Sequence, residues 1–92
     1  MAIGRAARRA ERSPRVEAIF GAAASTALDL FELTELAWHD CYGELSPSEE
    51  IIDEILLCSE GDLGRLVQAA RLAVTDWRDL KMWARTLRAR ET

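Results

Sequence analysis

From Leu66 to Leu87 the apolar residues Leu66, Ala70, Ala73, Trp77, Leu80, Ala84 and Leu87 follow one another in steps of four and three without a miss. An α-helix gathers such a set on one face, whereas a strand would scatter it over both. Neither Gly nor Pro occurs from Arg65 to Thr92. The spacing therefore predicts one unbroken helix over about residues 63–90, with Asp62 as its N-cap and a heptad-like packing seam along its length.

The rest of the chain reads the same way. No segment alternates with a period of two, and β-branched residues are sparse. Ser13 and Pro14 suit the N-cap and first position of a helix over about residues 14–42. Its apolar stripe runs through Val16, Ile19, Phe20, Ala23, Ala27, Leu30, Phe31, Ala37, Trp38 and Cys41, with Thr34 interrupting it and Gly43 as the stop. Ser46-Pro47-Ser48-Glu49 reads as a capping box led by Ser46, opening a helix over about residues 47–60. Ile51, Ile52, Ile55 and Leu56 form its buried face, and Glu49, Glu50, Asp53 and Glu54 its solvated one. The expected fold is all-α, with helices in the order long, short, long. Residues 13–92 form a single domain behind a flexible basic arm at residues 1–12.

Lengths turn this outline into an expectation about assembly. At about 1.5 Å per residue the long helices would each span about 40 Å and the short one about 18 Å. The last helix would then overshoot the first by roughly 20 Å, carrying Leu80, Met82, Trp83 and Leu87 into water. A lone chain of 92 residues buries only about 60–65% of its unfolded surface and is marginal. The reading is a helical bundle completed by homodimerisation, with Leu72, Leu80, Met82, Trp83 and Leu87 as partner-binding residues. The alternative is a kink near Gly21 that shortens the first helix and closes a compact bundle within one chain.

Charge is sorted along the sequence. Between Val16 and Gly64 there are twelve carboxylates and no Lys or Arg, and all twelve bases lie outside that window. The formal charge runs +4, then −12, then +4. Such segregation suggests that ends and middle meet different partners, or each other. Glu49, Glu50, Asp53 and Glu54 are candidates for docking an unidentified basic protein partner, beside the plainer reading of a solvated face. Arg5, Arg8, Arg9, Arg12 and Arg15, with Arg85 and Arg88 near the other end, are candidates for contacting nucleic-acid phosphates. The C-terminal bases are equally explained by the helix dipole. The net charge of −4 argues against nucleic-acid binding by the whole surface.

Little else points to chemistry. His39 and Cys41 face away from each other on a helix, and a lone Glu35–His39 pair falls short of a di-metal set. Cys41 and Cys58 read as buried, unpaired thiols of a reducing cytoplasm. Ser59 to Val67 resembles the start of the lid helix of AAA+ ATPases, but the chain holds no Gly-rich phosphate loop and no ATPase activity is carried over. With no run of eighteen apolar residues, no membrane span is expected. One Lys against eleven Arg suggests a GC-rich bacterial genome. The expectation is a small, non-enzymatic, cytoplasmic helical module for protein–protein interaction or regulation, without cofactor or metal. The alternative is a small nucleic-acid-associated regulator.

Overall fold

The computed structural model describes residues 4–91, so the first three residues of the expected arm lie outside it. The chain is all-α: α1 (Arg5–Phe20), a 3-10 turn (Gly21–Ala23), α2 (Ala24–Tyr42), α3 (Glu49–Ser59) and α4 (Leu63–Glu91). The described residues include no strand. The long-short-long order is kept, but both long rods are broken, and the breaks decide the architecture.

The first break is at Gly21. Its φ of 55° and ψ of −121° lie where a Cβ is strained. α1 and α2 fold back on each other there, which is the kink weighed as the alternative. The expected start at Ser13–Pro14 is displaced: α1 begins at Arg5 and Pro14 sits inside it. An interior proline costs a helix about 3 kcal/mol, so the turns before it need tertiary support. They have it, because Arg8, Arg9 and Arg12 all reach carboxylates of α2. The segment expected to be a flexible arm is, from Arg5 on, the start of a packed helix.

The second break is at Asp76, whose φ of −159° and ψ of 90° leave the helical region inside α4. Two of the backbone groups freed there find side-chain partners. The Arg78 N–H, which would have met the Val74 carbonyl, donates to Asp76 Oδ1 at 3.1 Å, making Asp76 an internal N-cap. The Val74 carbonyl accepts from Tyr42 Oη at 2.7 Å. Thr75 Oγ1 donates to the Arg71 carbonyl at 2.9 Å. Residues 77–91 double back along residues 63–75, so that Trp83 shares a surface hollow with Gln68, Leu72 and Thr75. The unbroken seam expected from the spacing is thus split. Leu66 and Ala73 bury their side chains from the first half and Leu80, Ala84 and Leu87 from the second, while Trp77 at the bend is 38% exposed. With α4 folded back, the overhang that motivated dimerisation does not exist.

α3 packs chiefly against α4, with Ile52, Ile55 and Cys58 fully buried. Its start also differs from expectation. Ser48, not Ser46, is the N-cap and accepts from the Ile51 N–H at 3.3 Å. Ser46 is drawn off by Arg12, whose guanidinium donates to Ser46 Oγ at 2.8 Å. Where α3 ends, Gly61 passes so close to α1 that a Cβ there would stand 3.1 Å from the Ile19 carbonyl. No helix among the described residues is long and apolar enough to cross a membrane.

Candidate functional site

The acidic residues of α3 face two sets of bases. Toward α1, Glu49 accepts from Arg12 at 2.9 Å and from Arg15 at 2.6 Å, and Asp53 pairs with Arg15. Toward the second half of α4, Lys81 Nζ donates to Glu50 at 2.8 Å and Glu54 at 2.9 Å, and Arg88 stands 3.8 Å from Glu54. The two basic ends of the sequence therefore converge on one acidic helix. Three of the four residues expected to form an acidic docking face are exposed, but all four are engaged by the chain's own cations, and Glu54 is buried.

The deepest ionic cluster joins α1 to α2. Glu35 is only 2% exposed and Arg12 only 3%. Glu35 accepts from Arg8 Nε at 2.6 Å and from Arg12 at 2.8 Å. Burial pushes the Glu35 carboxyl up, yet the hydrogen bonds from Arg8 and Arg12 outweigh it and hold the group below the usual carboxylate range. Glu49 is held low by the same balance, with Arg12 and Arg15 as its donors. Arg12 Nε alone in this cluster is buried without an acceptor.

These pairings redistribute the candidates for phosphate contact. Arg8, Arg9, Arg12, Arg15 and Arg88 all stand in ion pairs within the chain. Arg5 and Arg85 are exposed and make no ion pair among the described residues. The expected partner-binding set is divided too. Leu80 and Leu87 belong to the chain's own core, Leu72 and Trp83 are half-buried against it, and Met82 alone is exposed. The reason is the fold-back at Asp76, which supplies from within the chain the cover expected from a second copy.

The other reactive side chains are scattered. His39 is exposed, with Nδ1 at 3.3 Å from the Glu44 carbonyl. Cys41, in the last turn of α2, is exposed, contrary to expectation. Cys58 is buried, and desolvation raises its thiol to a pKa of about 11. Among the described residues no group of three or more His, Cys, Asp or Glu is placed to hold a metal.

Two concave surfaces escaped the sequence reading. One is an apolar groove of about 260 Å³ where α2 and the first half of α4 diverge, walled by Leu30, Leu33, Ala37, Val67, Ala70 and Val74. Leu33 is 61% exposed on its α2 wall, and Val67 is exposed opposite. The signal was present: Leu33 and Leu36 lie off the stripe that α2 buries, and both are exposed. The second concavity lies beyond the Tyr42–Val74 hydrogen bond and is lined by Trp38, Tyr42 and Trp77 together with charged groups. No protein-family model matches this chain, and no curated protein or solved structure matches it.

Proposed function

We propose that this protein is a small, non-enzymatic helical interaction module that pairs with a second copy of itself through the groove between α2 and α4. The observation that carries the reading is the apolar groove itself, open to solvent and walled by exposed Leu33 and Val67. Solvated leucines beside a concave apolar face are what an interhelical contact removes from water. Charge suits a two-fold arrangement. Arg71 lines the groove on α4, and Asp40 lies on the Leu33–Leu36 side of α2. Neither makes an ion pair among the described residues. An isologous contact would set each Arg71 against the other copy's Asp40. A standard interface of about 800 Å² per partner is roughly one seventh of the 5627 Å² that the chain exposes. Two free thiols, one of them exposed, suit a reducing, cytoplasmic setting.

Light scattering across concentration and at two salt levels tests this. The expected result is a dimer that Leu33→Asp converts to a folded monomer, with unchanged helicity. A monomer at high micromolar concentration sinks the proposal. The nucleic-acid reading gains nothing from the ion pairs, because five of its seven arginines already neutralise carboxylates of the chain.

A further inference from the structure

We infer that the concavity between the end of α2, the start of α3 and the bend of α4 is a binding site for a small organic cation carrying a methylated ammonium group. Its volume of about 390 Å³ is at the small end of ligand pockets. Three of the chain's six aromatic residues line it: Trp38, Tyr42 and Trp77. Trp38 and Tyr42 stand with ring centroids 4.4 Å apart at 45°. Both rings are anchored by their polar atoms. Trp38 Nε1 donates to Glu44 Oε1 at 3.0 Å, and Tyr42 Oη donates to the Val74 carbonyl. Trp38 is itself buried in the core, so the aromatic surface open to a guest comes from Tyr42 and Trp77, with no free donor on Trp38 or Tyr42. A quaternary ammonium needs that arrangement, since it has no N–H and is attracted by the negative faces of aromatic rings.

Charge in the lining favours a cation over a neutral guest. Glu44 and Glu50 contribute carboxylates, and Glu44 Oε2 carries no hydrogen bond among the described residues. Lys81 is the lone cation in the lining, and it is shared between Glu50 and a third carboxylate, Glu54. Trp77 adds the last argument. It interrupts an otherwise buried seam, and the break at Asp76 turns it to this pocket, where it remains partly exposed. An indole held half in water beside two other aromatics and two carboxylates is a poor use of apolar surface unless something covers it. The site does not depend on dimerisation, because Leu33 and Val67 take no part in it.

The test is a titration of the full chain with choline, read from the three indole N–H signals in NMR. It is repeated with 3,3-dimethylbutan-1-ol, which has the same shape and no charge. The expected result is saturable shifts of the Trp38 and Trp77 signals, with the alcohol at least about tenfold weaker. Trp77→Leu should reduce choline affinity by about tenfold or more, and Trp83→Leu should leave it unchanged. Glu44→Gln keeps the acceptor for Trp38, and should weaken choline without weakening the alcohol. A short peptide bearing one trimethyllysine separates the sources of the group. Tighter binding of the peptide assigns the site to a modified side chain, and tighter binding of choline to a free metabolite. Equal binding of alcohol and choline, choline binding undiminished in folded Trp77→Leu, or no saturable shift overturns the inference.

Discussion

The two fold-backs of this chain solve one problem by different means. α1 and α2 reverse at a glycine in a conformation that other residues rarely adopt, and they are clamped by a buried ionic cluster of Arg8, Arg12 and Glu35. α4 reverses at Asp76, in extended backbone open to any residue. It is held by side-chain capping, by the Tyr42–Val74 hydrogen bond, and by Trp83 near Leu72. The first reversal is written into the backbone and stabilised by charge. The second exists because the surroundings can satisfy the groups that a broken helix leaves behind.

This difference fixes the order of effects. The largest belongs to the ionic clamp. Glu35→Ala removes the buried counter-charge that Arg8 and Arg12 share, leaving Arg12 only Ser46 and the exposed Glu49, and should cost about 3–5 kcal/mol in urea denaturation. Amide exchange should accelerate first in residues 5–12, since Pro14 leaves those turns dependent on the clamp. A loss below about 1 kcal/mol would mean that the clamp behaves as a surface pair. On the other side, Leu80→Ala removes a fully buried side chain from the second half of α4 and should cost about 2–4 kcal/mol. An effect near zero would mean that this half does not stay docked.

The reversals themselves come next. Gly21→Ala places a Cβ on a backbone at φ 55° and should destabilise by about 1–3 kcal/mol, although nothing stands within 4 Å of that Cβ. Strain, not collision, is the cause, so a neutral result would show that the turn can relax. Tyr42→Phe withdraws one donor from the Val74 carbonyl and should cost about 1 kcal/mol. Combined with Asp76→Ala, the loss should depart from the sum of the two single losses if both serve the same break, which a double-mutant cycle measures.

Acid separates the two fold-backs further. Glu35 is held below the usual carboxylate range in the folded chain, so the unfolded chain takes up its proton first. The stability it contributes is complete above the ordinary Glu pKa of about 4.3. It is lost as pH falls from there through the lowered folded value. Glu35→Gln should flatten the dependence of stability on pH below about 5. An unchanged slope would place the acid sensitivity elsewhere, with Glu49 and Glu50 next in line because their carboxyls are also held low.

Much of this was legible in the residues, and the exceptions have identifiable causes. Gly43 ends α2 in the left-handed region, and Asp62 caps α4 by accepting from the Arg65 N–H, both as the sequence indicates. Pro14 misled because a helix-start signal was outweighed by arginines reaching across to α2. Ser46 misled because Arg12 claimed it. The groove and the aromatic pocket were not legible, since each is assembled from residues of different helices and has no spacing of its own.

The sequence by itself determined that the chain is helical and where α2 ends and α4 begins, and it offered Gly21 as the alternative site of a kink. Helical periodicity, capping side chains and glycine are local properties that the backbone expresses wherever it finds itself. Its sorted charge left two readings, that ends and middle meet different partners or each other. Tertiary structure alone decided that they meet within one chain, and that the seam from Leu66 to Leu87 breaks at Asp76. Both outcomes depend on distant groups. A carboxylate attracts whichever cation packing brings near, and a helix is interrupted at low cost where a group such as the Tyr42 hydroxyl stands ready to donate to the freed carbonyl.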